Sequence, residues 1–294
     1  MSDFPATSWL IKVLMGLGLN RIAWSLRRLH CPVDSAALVL DVGSGGNPYP
    51  RANVLLDGYE ATPERYFAPL VKDRPIVYGT AERMPFKDKS FDFVIASHIL
   101  EHSAHPELFI AELMRVGKAG YIETPDGFFE RINPFRFHRL EVYGGGDSEL
   151  RIFKKPSWRH DDFVVDGYEA KLKRSLHFKE FLSDYPAPFY TRLYWQGCIA
   201  FTILNPDVNA DWVMPDIAPV AQPPGLRQRL VGIIRHLFSQ NGRNARIDLA
   251  ALLCCPQCRG ELCNAAPDVL TCETCTRSYQ VHSGIPNLTV QLQP

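Results

Sequence analysis

The chain has 294 residues, 46% of them hydrophobic and 22% charged, which excludes a disordered or fibrous protein and leaves room for one full core and a smaller module. Its 32 basic residues balance 32 acidic ones, so no overall basic field draws it to nucleic acid. The neutral sum is uneven, with a basic excess at both ends and an acidic middle.

Residues 9–30 place Leu10, Val13, Leu14, Leu17, Ile22, Leu26 and Leu29 at roughly helical spacing, with Arg21, Arg27 and Arg28 among them. This predicts one or two amphipathic helices, either packed on the main domain or lying on a membrane surface. Lys12, Asn20 and the arginines interrupt the run before it is long enough to span a bilayer, and it has no signal-peptide pattern, so a cytoplasmic protein is expected.

From Ala37 the pattern changes to short apolar runs ending in glycine, acid or proline. These predict five buried parallel strands, over 38–42, 53–57, 76–78, 91–96 and 120–123, with a helix over 106–116 between the last two. The alternation predicts an α/β fold built on a doubly wound sheet. Residues 150–153 and 198–204 read as an antiparallel closing pair. The five prolines of 205–225 predict an extended linker, and a basic amphipathic helix follows over 226–238. The expected segments are N-terminal helices (1–36), the α/β domain (37–205), linker and basic helix (206–245), and a small C-terminal domain (246–294).

Residues 38–47, LVLDVGSGGN, are a strand running into glycines that let the backbone turn sharply and approach a ligand. Asp57 ends the next predicted strand, where a carboxylate can accept hydrogen bonds from both ribose hydroxyls of a nucleoside. A tight structural loop is the alternative reading. The dinucleotide fingerprint would need a glycine at the sixth position, where Pro48 stands, which disfavours a nicotinamide enzyme.

DVGSGG at 41–46, then Asp57, then YGTAERMPFKDKSFDFVIASHILEHSAHPELFIAELMRVGKAGYIETP at 78–125 resembles class I S-adenosylmethionine-dependent methyltransferases of the type-11 kind. The resemblance implies a Rossmann-like methyltransferase sheet with S-adenosylmethionine as cofactor. It places Asp41, Gly43, Ser44, Gly45 and Gly46 along the methionine part, Asp57 on the ribose, and Ala81 and Glu82 beside the adenine. Ser97 and His98 would face the sulfonium and the substrate. Two features depart from the family. Thr80 replaces an acid, and Pro48 and Pro50 stand where the first helix ordinarily begins, predicting a loop or shortened helix.

Methyl transfer is an in-line displacement, so the enzyme aligns a nucleophile and, for a hydroxyl or amine, removes a proton. His98, His102 and His105 follow the fourth predicted strand and His138 the fifth. His98, His102 and His138 are the catalytic candidates, with His102 or His138 as the base. His98, Glu101 and His102 could also approach a metal if helical, resembling the acid-x-x-Glu-His motif of some O-methyltransferases with His98 in the acid's place. A structural or substrate-contacting histidine is the competing reading. Glu123 and Asp126 could bind a substrate cation, and Arg131, Arg136 and Arg139 a phosphate or carboxylate; all five could equally be solvated charges.

Cys255-x2-Cys258, thirteen intervening residues and Cys272-x2-Cys275 form a paired-knuckle spacing that can set four thiolates around a structural Zn2+. Cys254 and Cys263 are left over and read as buried apolar positions. Residues 249–290 resemble the small zinc-ribbon activator that partners methyltransferases acting on tRNA, ribosomal RNA and release factors, which implies a ribbon docked in cis. The expected activity is methyl transfer to an O or N nucleophile of a small metabolite, glycan, lipid, RNA or protein, with peripheral membrane contact through the basic helices as a further expectation. The alternative is a noncatalytic scaffold on a degenerate methyltransferase fold.

Overall fold

The computed structural model describes residues 7–65, 67–144, 149–158, 162–214 and 226–290. The N-terminal amphipathic segment forms two helices, α1 (Trp9–Gly16) and α2 (Asn20–Leu26), separated by Gly18 at φ +73°. The apolar runs that follow form β1 (Val39–Val42), β2 (Val54–Asp57), β3 (Ile76–Tyr78) and β4 (Phe93–Ser97); α3 (Pro106–Val116) leads into β5 (Ala119–Pro125). Next come α4 (Gly127–Ile132), β6 (Leu140–Gly144), β7 (Glu149–Lys154), α5 (Asp162–Ala170), α6 (Leu176–Asp184), β8 (Tyr190–Gln196) and β9 (Ala200–Ile203). The C-terminal part holds α7 (Leu226–Phe238), two short helices, α8 (Asn241–Asn244) and α9 (Leu249–Leu252), and β10 (Leu262–Ala266), β11 (Val269–Cys272), β12 (Ser278–His282) and β13 (Ile285–Pro286).

The main sheet has the order β3-β2-β1-β4-β5-β8. β1 runs parallel to both β2 and β4, with Asp41 opposite Leu55 and Ile95, and all four β1 residues are buried, as an internal strand covered on both faces requires. The doubly wound α/β expectation therefore holds for the central sheet. The closing pair does not form as read. β7 and β9 pair in parallel, Glu149 opposite Ala200, in a separate sheet of order β6-β7-β9. The chain between them contains α5, α6 and β8, a crossover that permits parallel pairing, whereas an antiparallel hairpin needs a short turn.

The chain divides into two compact units, each assembled from separate stretches of sequence. One comprises residues 33–96, 106–120 and 217–294, the other 1–32, 97–105 and 121–216. In the first, the basic C-terminal segment is tied to the strands by polar side chains. Arg235 pairs with Asp73 at 3.0 Å, Asn244 Oδ1 accepts from Asn53 Nδ2 at 2.8 Å, and Arg243 donates to the carbonyls of 35–37. In the second, the start of the expected linker is anchored, with Trp212 Nε1 donating to Lys155 O at 3.0 Å. Residues 215–225 of that linker lie outside the described residues. No helix among the described residues is long and apolar enough to cross a membrane.

Candidate functional site

In the first unit, residues 43–53 run from β1 to β2 as turns with no helix, as Pro48 and Pro50 predict. Gly43 and Gly45 adopt φ of +67° and +56°, the left-handed region that only glycine enters without strain. The loop is pinned at both ends, because Gly43 N donates to Leu56 O at 2.8 Å and Asp41 Oδ2 accepts from Tyr49 N at 2.7 Å. Asp57 sits at the end of β2 as expected, where Oδ2 accepts from Gly45 N at 3.0 Å and Oδ1 from Tyr59 N at 3.0 Å.

Sequence reasoning missed Arg65. Its Nη1 lies 3.2 Å from Asp57 Oδ1, while its other nitrogens are held by the carbonyls of Tyr59, Glu60 and Ala68. Ala81 and Glu82 lie in a 3-10 turn, Ala81–Arg83, that follows β3. Gly46 is closely covered, since a Cβ there would meet Pro69 O at 3.1 Å.

A polar nucleoside cofactor fits these residues. Ser44 Oγ in the glycine loop and Thr80 Oγ1 ahead of the Ala81 turn are buried with no hydrogen-bond partner among the described residues, and buried hydroxyls ordinarily have one. Asp57 adds an acceptor carboxylate at the end of β2. A cleft of about 390 Å³ opens beside it, lined by Gly58, Glu60 and Tyr78 and by His282, Asn287 and Thr289 of the cysteine module.

The second unit contains the candidate histidines His98, His102 and His138. Glu123 on β5 is fully buried and sits at the centre of a charge network. Arg27 clamps it with two hydrogen bonds of 2.6 and 3.0 Å, Tyr121 Oη donates at 2.7 Å and Ser97 Oγ at 3.3 Å, and His98 Nε2 lies 3.5 Å away. Glu123 therefore already has an internal cation and is not the free substrate carboxylate that was one reading of it. Asp126 caps α4 through Phe128 N and accepts from Thr191, a structural role. Arg139 is buried and donates to the carbonyls of Ala210 and Trp212, so it is not a solvated charge.

His98 has φ +58°, an unusual backbone for a non-glycine residue. Burial disfavours its charge, but Glu101 and Glu123 on either side outweigh that and push it up to about 9. A histidine already protonated at neutral pH cannot accept a substrate proton. His102 is pressed down to about 3 by burial and the neighbouring His138. Burial favours the neutral form of Glu101, yet the surrounding imidazoles, His98 foremost, hold its carboxyl down to about 2. The rings of His102 and His138 meet edge to face at 4.7 Å, bringing the two candidate bases together although they lie 36 positions apart in the chain.

The four knuckle cysteines converge, with all four sulfurs within 4.8 Å of one another. Cys255 and Cys275 sulfurs are 3.7 Å apart and those of Cys258 and Cys272 3.4 Å, close to the spacing of about 3.8 Å implied by tetrahedral bonds of about 2.3 Å to zinc. The knuckles repeat one backbone motif. Arg259 N donates to Cys255 O and Thr276 N to Cys272 O, and Arg259 and Thr276 both have positive φ. The donor set fits Zn2+, and a closed shell of four thiolates is the arrangement that a structural ion takes.

The module meets its own unit along two backbone seams. Lys87 N donates to Leu252 O and Cys254 N to Pro85 O, and Leu288 N donates to Tyr78 O beside a parallel bridge from Tyr78 to Asn287. Arg259 reaches Met84 O and the carboxylate of Glu112, at 2.8 and 2.7 Å. Cys254 is buried in this seam, and Cys263 donates to Thr271 O.

Residues 40–122 match the methyltransferase domain family. The matched stretch contains the glycine loop, Asp57 and the Ala81 turn. Similar solved structures include a complex with a methyltransferase activator from Haloferax volcanii (20% identity, 41% of this chain and 60% of that chain, TM-score 0.30). Others are an S-adenosylmethionine-dependent methyltransferase from Mesorhizobium loti (16%, 39% and 59%, TM-score 0.31) and a possible histamine N-methyltransferase from Thermotoga maritima (17%, 60% and 71%, TM-score 0.27). The chain thus spans about 60% of the length of the first two. No curated protein matches it.

Proposed function

We propose that the chain is an S-adenosylmethionine-dependent methyltransferase acting on an O or N nucleophile, with the cysteine module as a structural zinc ribbon bound in cis. The observation that carries this reading is Asp57, a buried carboxylate at the end of β2 with the glycine-loop amide of Gly45 on it, inside the matched domain. The cofactor supplies an electrophilic methyl group. Asp57 would accept from the ribose hydroxyls, Ala81 and Glu82 would border the adenine, and Asp41 and the loop from Gly43 to Gly46 would hold the methionine end. Ser97 and His98, at the end of β4, would face the sulfonium and the substrate. His102 or His138 would take the acceptor's proton.

The ribbon's backbone seams on Tyr78 and on 85–87 flank the Ala81 turn, which supports a role in holding the adenine side. Exposed Trp9, Leu10 and Ile22, and Leu230, Ile233 and Leu237 on the basic helix, support peripheral membrane contact and a lipid among the possible acceptors. A cluster of four thiols placed to hold a metal ion suits a reducing cytoplasmic setting.

The scaffold reading has its own observation, the Arg65 guanidinium already on Asp57. Calorimetric titration of the zinc-loaded protein with S-adenosylmethionine, its demethylated product and NADH separates the two. Micromolar binding of the first two without NADH is expected; no binding of either supports the scaffold.

A further inference from the structure

Glu101, His102 and His138 each offer one ligand atom, all within 4.8 Å of one another. Glu101 is 1% exposed, and among the described residues neither of its oxygens makes a hydrogen bond and the nearest cation is His98, with Nδ1 3.3 Å from Oε1. A carboxylate removed from water in this way is costly unless something binds it.

His138 is oriented for ligation. Its Nδ1 is 2.6 Å from Glu130 Oε2, and the other oxygen of Glu130 accepts from Lys155 Nζ at 2.7 Å and from Phe135 N at 3.0 Å. Glu130 and Lys155 are both buried, so this support is built into the interior. With Nδ1 committed to Glu130, the nitrogen left for a ligand is Nε2, and it faces Glu101 Oε1 at 3.9 Å. A carboxylate holding one ring nitrogen while the other binds metal is the usual support of a metal-bound histidine. The backbone fixes the group as well, because Arg139 N donates to Glu101 O at 2.7 Å.

We infer that Glu101, His102 and His138 form a second metal site, for a divalent first-row transition ion of the kind that two imidazoles and a carboxylate bind. Glu130 is its positioning residue. The site is separate from the ribbon, and metal counting decides it whether or not the chain transfers methyl groups. It also changes the assignment of the bases, since a histidine bound to metal is not free to accept a proton. An acceptor oxygen on the ion would lose its proton more readily instead.

The test is titration of the full metal-free protein with Co2+, followed by metal analysis and visible absorption. Two ions per chain are expected, one with the thiolate charge-transfer bands of the ribbon and one without. Glu101→Gln and His138→Gln should each lose the second ion and keep the first, and Glu130→Gln should weaken the second by about 10- to 100-fold. Saturation of the wild type at one thiolate-bound ion would overturn the proposal, and this outcome does not depend on any variant folding. Retention of the second ion in both Glu101→Gln and His138→Gln would also overturn it.

Discussion

Glu123 shows how one buried side chain can fix the environment of several others. Removing Arg27 strips its principal cation, so Arg27→Ala should destabilise the protein by about 3 kcal/mol, the low end for breaking a buried pair because Tyr121 and His98 remain. The pH dependence has a definite sign. Burial alone would raise the Glu123 carboxyl, but His98 and Arg27 outweigh it and hold it well below the carboxylate range. A carboxyl lowered in the folded state contributes stability above its unfolded value, about 4.3, and that contribution is lost as pH falls below it. The acid-unfolding midpoint of Arg27→Ala should therefore move to higher pH; an unchanged midpoint would show that Arg27 does not set the Glu123 charge. At the other site, Asp57→Ala should weaken S-adenosylmethionine at least about tenfold, as loss of a charge-assisted hydrogen bond implies, and equal affinity in calorimetry would reject the ribose role. Asp57 and the glycines were legible because their chemistry depends on short-range order along the chain. Arg27, Arg65 and Glu130 were not, since nothing local marks an arginine that closes on a carboxylate 96 positions away or a glutamate that supports a histidine from the preceding helix.

Among the elements, legibility followed burial pattern. β1 and β2 are buried at every residue, so each reads as a mostly apolar run, broken in β1 only by Asp41 and ended in β2 by Asp57. β8 alternates instead, turning Thr191, Leu193 and Trp195 inward and Arg192 and Gln196 outward, and its polar half hid it behind the prolines at 186 and 188. Partner choice was less legible still, since β7 and β9 looked alike as runs and only the intervening crossover makes them parallel. The seam between α3 and the ribbon is of this long-range kind. Glu112 accepts from Arg115, from Met84 N and from Arg259 of the first knuckle. Arg259→Ala and Glu112→Gln should be non-additive in thermal unfolding, with a coupling of about 1 kcal/mol, modest because Arg259 is partly exposed. Strict additivity would mean that the backbone seams alone hold the ribbon.

For the whole molecule, the consequence to test is whether metal in the cysteine cluster is felt in the methyltransferase domain. If the cysteine module, too small to hold its own core, folds around a bound zinc, chelation or Cys258→Ser should unfold it. β3 is the first strand of the main sheet, and the ribbon covers its outer edge at Tyr78; a second seam engages 85–87, and the Ala81 turn lies between the two. Losing the ribbon would leave that edge unpaired and free the chain on both sides of the turn. Hydrogen exchange reads this directly at the amide of Lys87, whose carbonyl partner is Leu252, and at those of Cys254 and Leu288. Chelation should speed exchange at all three, leave β1 protected by its neighbours β2 and β4, and weaken S-adenosylmethionine by several-fold through the adenine side. If Cys254 and Leu288 lose protection while Lys87 and cofactor affinity do not change, the ribbon is attached to the domain without supporting its site. Loss at all three amides together with weaker binding would establish that the zinc-bound module holds part of the cofactor pocket in place.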